Sequence, residues 1–214
     1  MHIKICCIGS IEEADLAIRY GATAVGLVSQ MPSSRGVIPD DRIAEIAAHI
    51  PRGVQTFLLT SRTDPADILA HHRLIRPDAL QLVDRIPPDT LDILRRELPG
   101  TCLVRVVHVG GPAAVAEARR VEPYCDALLL DSGQPDAPQR ELGGTGRVHD
   151  WSISAEIVAS SSIPVYLAGG LTPGNVRQAI DRVRPFGVDV CSSLRPHGRL
   201  EEELLAQFVA AAVR

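Results

Sequence analysis

Ala127-Leu128-Leu129-Leu130-Asp131 is an apolar run that stops on a carboxylate. Four apolar residues are too few for a helix, yet they suit a parallel strand covered on both faces, and the carboxylate then stands where the core ends. Cys6 closes the first apolar run of the chain in the same manner, and a glycine cluster, Gly143-Gly144-Thr145-Gly146, follows Asp131 in the next connection. Reactive side chains at the ends of parallel strands are how α/β barrels assemble active sites on one rim.

Seven further runs of this kind are present: Ile3 to Cys6, Thr23 to Val28, Val54 to Leu59, Ala79 to Val83, Cys102 to Val107, Pro164 to Leu167 and Val188 to Cys191. Segments of helical period separate them, for example Ile43, Ile46, Ala47 and Ile50, or Leu91, Ile93, Leu94 and Leu98. Ser10 with Glu13 reads as a capping box and Gly21 as the stop of the same helix. Asp64-Pro65 and Thr172-Pro173 read as N-caps followed by a first-turn proline. Eight strand-helix units predict a (β/α)8 TIM barrel, a single domain over residues 1–214, with an open doubly wound sheet as the alternative. Ser132 to Asp150 is long for a connection in such a unit, and long loops in compact domains are usually functional or disordered.

Alternation along strands sorts the side chains. Lys4 and Cys6 share one face of the first strand, while Ile3, Ile5 and Cys7 share the other. The polar set is expected inside the barrel, joined there by Gln81, Arg105, Asp189 and Cys191. Closure would make the first and last strands neighbours, so Lys4 and Asp189 are expected to pair, because a buried charge needs a partner.

Composition narrows the function. Hydrophobic residues at 45% and charged residues at 22% are ordinary for a soluble globular protein. A net charge of -4, no basic cluster and aromatic residues at only 3% exclude a nucleic-acid footprint or a base-stacking platform. The N-terminus carries no long apolar segment and no run approaches the ~18 residues of a membrane span, so neither export nor insertion is indicated and a cytoplasmic location is expected. Five cysteines, Cys6, Cys7, Cys102, Cys125 and Cys191, show neither disulfide-scaffold density nor CxxC spacing, and reduced thiols are expected. His71-His72 is expected to be solvated on a helix, and His149-Asp150-Trp151 suits a helix cap as well as a ligand contact. No HxH or HExxH pattern occurs, so no metal and no cofactor are expected.

Each candidate site residue has a plain structural reading beside the chemical one. Cys6 is a base or nucleophile, or a small core hydrophobe; Asp131 is an acid, or a helix N-cap. Gly143, Gly144, Gly169 and Gly170 are backbone-permissive turns, or parts of an anion cradle. Barrels hold phosphate between the loops after the seventh and eighth strands, which are here Gly169-Gly170 and Ser192-Ser193. Arg35 is a surface arginine, or a clamp for a substrate carboxylate.

Taken together, these residues resemble the phosphoribosylanthranilate isomerase family, a barrel family of tryptophan biosynthesis. The resemblance runs nearly end to end: Lys4-Ile5-Cys6, Gly26 to Val28 with Ser33-Ser34-Arg35, Leu80-Gln81-Leu82, Leu129-Leu130-Asp131, Gly143 to Gly146 with Asp150-Trp151, Leu167 to Leu171, Asn175-Val176 and Gly187 to Val190. It implies a metal-free Amadori rearrangement with Cys6 as general base, Asp131 as general acid, Arg35 on the anthranilate carboxylate, and phosphate held at Gly169-Gly170 and Ser192-Ser193. Arg195 is expected to add charge there that family members with an acidic residue at this position would lack. The implied partner is a small phosphosugar rather than nucleic acid or a membrane, and the implied assembly is a monomer or homodimer. Departures stand at Cys7 and Ser193, where the family usually has glycine, and at Val83-Asp84, where it usually has His-Gly. Two further readings fit these departures: an isomerase of another phosphosugar, and a phosphate-ligand binder without turnover.

Overall fold

The structure, a computed structural model, describes residues 1–32, 36–133 and 146–214. Eight parallel strands close into a barrel in sequence order: β1 (His2–Ile5), β2 (Ala24–Val28), β3 (Gln55–Thr60), β4 (Ala79–Leu82), β5 (Cys102–His108), β6 (Ala127–Asp131), β7 (Val165–Leu167) and β8 (Gly187–Val190). A helix follows each strand: α1 (Ile11–Arg19), α2 (Asp40–His49), α3 (Pro65–Ile75), α4 (Pro88–Glu97), α5 (Ala113–Val121), α6 (Trp151–Ser160), α7 (Val176–Val183) and α8 (Glu202–Val213). The β1–β8 ladder, in register from His2↔Gly187 to Ile5↔Val190, closes the (β/α)8 barrel and excludes the open sheet.

The period of two in the strands builds two apolar layers. Ile3, Ile5, Val25, Leu27 and Leu58 face outward onto Ala14, Ala17, Ile43 and Ile46 of the helices. Ala24, Val28, Phe57, Leu59, Ala79, Val104, Leu129 and Tyr166 face inward and fill the lumen. Near the base, Phe57 and Tyr166 meet edge to face with centroids 5.8 Å apart. Gly187 makes room for them, since a Cβ there would lie 2.8 Å from the Tyr166 ring.

Most helix signals stand. Ser10 Oγ accepts from Glu13 N at 3.2 Å, Gly21 leaves α1 with φ 96°, and Asp64 caps α3 through Ala66 N at 2.9 Å. Thr172-Pro173 does not start a helix. Thr172 N donates to Asn175 Oδ1 at 2.7 Å, and this side-chain turn delays α7 to Val176. His71 is buried rather than solvated, with Nε2 3.0 Å from Asp40 Oδ1, and His72 Nε2 lies 2.7 Å from Thr101 Oγ1. The cause is that α3 packs between α2 and α4, which leaves neither ring wholly in water. Among the described residues no helix is long and apolar enough to cross a membrane.

Candidate active site

β1 sends Lys4 and then Cys6 into the lumen, as alternation requires. Cys6 lies one residue past the strand but stays in the ladder, its N donating to Val190 O at 2.9 Å. Lys4 is fully buried and pairs with Asp189 as expected, Nζ to Oδ1 2.9 Å. The same ammonium lies 5.3 Å from the centroid of the Phe57 ring. On β2 the facing residue is Gly26, where a Cβ would come within 2.7 Å of Cys6 Sγ and 3.1 Å of Lys4 Nζ. Only a bare Cα allows thiol and ammonium to converge there. The Cys6 thiol is pushed up to about 11 by burial, with Asp189 adding to the rise, against the charge and hydrogen bond of Lys4, which pull it down. Burial also opposes the Lys4 charge, but Asp189 and Cys6 outweigh it and hold the ammonium above its ordinary value.

Cys7 breaks the alternation. β1 ends at Ile5, and Cys7 takes a left-handed conformation with φ 61°, which turns its side chain toward the inner rim instead of the helices. There it is disulfide-bonded to Cys191, the Cα atoms 6.0 Å apart. The expected set of reduced thiols is thus corrected to three, Cys6, Cys102 and Cys125. Left-handed backbone is costly for a residue with a Cβ, which is the physical reason a glycine is at home at this position.

Across the lumen, Asp131 ends β6 at the same rim. Ser132 N donates to its Oδ1 at 2.7 Å, and Val109 N donates to its carbonyl at 2.8 Å. Burial raises its carboxyl above the ordinary range; the Ser132 N–H and the His108 and Lys4 charges act against the rise, and Asp189 adds to it. Cys6 and Asp131 therefore sit at one mouth, and the Lys4–Asp189 pair acts electrostatically on both. His108, which no motif in the sequence marks, is the ladder partner of Asp131. Its Nε2 donates to Val83 O at 3.1 Å, while the buried Nδ1 has no hydrogen-bond partner among the described residues. Together with Val83 and Arg105 it lines a cavity of about 540 Å³ at the β4–β5 side of the rim.

The loops after β7 and β8 meet as expected. Gly169 and Gly170 both have positive φ, 78° and 64°, and Ser193 Oγ donates to Leu171 O at 2.6 Å, joining the two loops. A Cβ on Gly170 would lie 2.5 Å from the Arg147 carbonyl carbon, and one on Gly146 would lie 3.5 Å from Ser192 Oγ. Residues 146–149 therefore form a third wall of this corner. His149 belongs to it: Nε2 lies 2.7 Å from Ser154 Oγ, and burial lowers its pKa to about 4, leaving a neutral imidazole. Asp150, not His149, caps α6, accepting from Ser152 N at 2.8 Å.

Arg195 does not offer free charge to the corner. Its Nη1 lies 2.8 Å from both Glu13 carboxylate oxygens, and its Nη2 donates to Cys6 O at 3.3 Å. It is a brace between α1, the end of β1 and the loop after β8. Arg35, Gly143 and Gly144 lie outside the described residues. Among the described residues no cluster of His, Cys, Asp and Glu could hold a metal ion.

Comparison with known proteins agrees with this geometry. The family model described as N-(5'phosphoribosyl)anthranilate (PRA) isomerase matches residues 3–211. N-(5'-phosphoribosyl)anthranilate isomerase of Methanocella arvoryzae is 35% identical over 209 residues, covering 97% of this chain and 96% of the relative. The enzyme of that name from Haloferax volcanii is 39% identical over 217 residues, 99% of this chain and 92% of the relative. Among solved structures, phosphoribosyl anthranilate isomerase from Thermotoga maritima superposes with a TM-score of 0.85 at 28% identity, over 100% of this chain and 98% of that one. A phosphoribosyl anthranilate isomerase in complex with reduced 1-(o-carboxyphenylamino)-1-deoxyribulose 5-phosphate superposes with a TM-score of 0.82 at 27% identity, over the same shares.

Proposed function

Since the chain belongs to the N-(5'-phosphoribosyl)anthranilate isomerase family and is an isomerase of that kind, we propose how its own residues divide the rearrangement. Asp131 is the general acid. Burial shifts its carboxyl toward the protonated form, and that proton passes to the ribose ring oxygen as the C1'–O bond opens to an iminium. Cys6 is the general base. Its thiolate takes the proton from C2', the C2'–H electrons form the enolamine double bond, and the iminium nitrogen becomes neutral. Tautomerisation of the enolamine then gives the aminoketone product. An acid and a base must stand on different sides of one sugar, and β1 and β6 lie across the lumen from one another.

The phosphate end is assigned to Gly169, Gly170, Ser192 and Ser193: positive φ and the absence of Cβ atoms at the two glycines let backbone N–H groups approach an anion, and the turn at Ser192–Leu194 faces them from the loop after β8. Arg35, which follows β2 in the sequence, takes the anthranilate carboxylate in this reading, with Gly143 and Gly144 contributing to the mouth. The same reading has the whole chain act as one barrel domain in the cytoplasm, as a monomer or homodimer, without a cofactor. The observation that carries it is the shared rim position of Cys6 and Asp131, with burial raising the Asp131 carboxyl and Lys4 favouring the Cys6 thiolate by charge and hydrogen bond.

The test is loss of the fluorescence of N-(5'-phosphoribosyl)anthranilate with purified protein. Cys6→Ala and Asp131→Asn should each lose about 10²–10⁴-fold in turnover, and inorganic phosphate or sulfate should compete with substrate. Full turnover in either variant would remove that residue from its role.

A further inference from the structure

A buried thiol becomes a thiolate only with help from a neighbouring positive charge. We infer that Lys4 is the positioning residue for the Cys6 thiolate: held by Asp189 across the β1–β8 seam and seated on Phe57, its ammonium stands against Cys6 Sγ over the bare Cα of Gly26. The inference rests on the reading of Cys6 as the base.

Three observations converge on it. A buried ion pair adds little stability over apolar side chains of equal size, so complete burial of a lysine calls for a further task. β2 presents its only glycine, Gly26, where the thiol and the ammonium meet, and any side chain there would fill that space. Asp189 fixes the ammonium in place, yet its own charge opposes the thiolate, so the two members of the pair act on Cys6 with opposite signs. When Cys6 takes the C2' proton and becomes neutral, Lys4 keeps Asp189 as its counter-ion and need not move.

The surroundings leave the task to Lys4. β2 and β3 supply Gly26 and Phe57, which carry no charge, and Tyr166 of β7 senses the pair with its phenol pushed up to about 12 by burial. β6 brings Asp131, whose carboxyl burial raises above the ordinary range, and Arg195 reaches only the Cys6 carbonyl with its charge met by Glu13. The Cys7 backbone hydrogen bond also favours the thiolate but carries no net charge.

The experiment follows the ultraviolet absorbance of the thiolate against pH, corrected with Cys6→Ala protein. Lys4→Met should move the Cys6 midpoint up by about one pH unit or more, and Asp189→Asn should move it down. Adding Lys4→Met to Asp189→Asn should move it up again, and this comparison strands no carboxylate if Lys4→Met alone fails to fold. The acidic limb of kcat/KM should follow the same order. A merely structural pair would leave the titration unmoved or shift both single variants the same way, and either result overturns the inference. Should the thiolate midpoint move in opposite directions while the kcat/KM limb stays fixed, the base assignment of Cys6 falls and the Lys4–Cys6 coupling remains.

Discussion

Cys7 is joined by a disulfide to Cys191 across the seam where β1 meets β8, one residue after the proposed base and one before the Ser192 corner. The bond links positions 184 residues apart and so constrains nearly the whole unfolded chain.

Reduction is expected to lower stability by a few kcal/mol, with about 5 kcal/mol as the entropic ceiling for a loop of this length. Urea unfolding with and without dithiothreitol measures it, and Cys191→Ser should show the same loss and no response to the reductant. Identical wild-type midpoints in both conditions would mean that the two sulfurs are not bonded in solution.

Gly26→Ala tests the meeting point of thiol and ammonium. The new Cβ would arrive 2.7 Å from Cys6 Sγ and 3.1 Å from Lys4 Nζ, so both must give way. Turnover is expected to fall on the order of 10²-fold while the barrel still folds, since a displacement of about 1 Å at reacting groups has that effect. Steady-state kinetics beside a circular dichroism spectrum separates the two, and unchanged kcat would show that the contact is slack.

Asp131 links activity to pH-dependent stability. Burial raises its folded pKa above the unfolded value, so the native state holds this proton where the unfolded chain has released it. The favourable contribution is therefore complete below the unfolded pKa and is lost as pH rises through the folded one. Asp131→Asn should abolish that decline and be relatively more stable at neutral pH, while turnover collapses. Denaturant midpoints measured across pH decide it, and parallel curves for variant and wild type would refute it.

Gly170→Ala should damage the phosphate corner. Its φ of 64° and the 2.5 Å approach to the Arg147 carbonyl carbon leave no space for a methyl group, so the wall formed by residues 146–149 must shift. KM for substrate and the inhibition constant for inorganic phosphate should rise together. A rise in KM alone would place the phosphate elsewhere.

The barrel was legible because short apolar runs and helical periods alternate without interruption from Ile3 to the last helix. The Lys4–Asp189 pair was legible because alternation and closure both act on β1 and β8. Alternation stops being a guide where a strand ends, and Cys7 therefore lies on the face opposite to the one alternation predicts: φ 61° reverses its direction one residue past Cys6. Nothing local could announce a partner at Cys191. His108 and His149 were obscure for another reason, since each matters through groups on other strands and loops, Val83 and Asp131 for one and Gly169 for the other. Arg195 was expected at the phosphate because it follows Ser193, but Glu13, far away in sequence, claims it first.

The seam has a last consequence, for the folding chain rather than the folded one. A chain in which β1 and β8 had not yet met would carry two bare strand edges, each a template for another molecule. Lys4 points inward from one edge and Asp189 from the other. Unlike edges mate with their charges cancelled, whereas two β1 edges would bury two ammonium groups and two β8 edges two carboxylates. The pair thus penalises like-to-like association between half-folded chains and leaves each chain's own opposite edge as its best match.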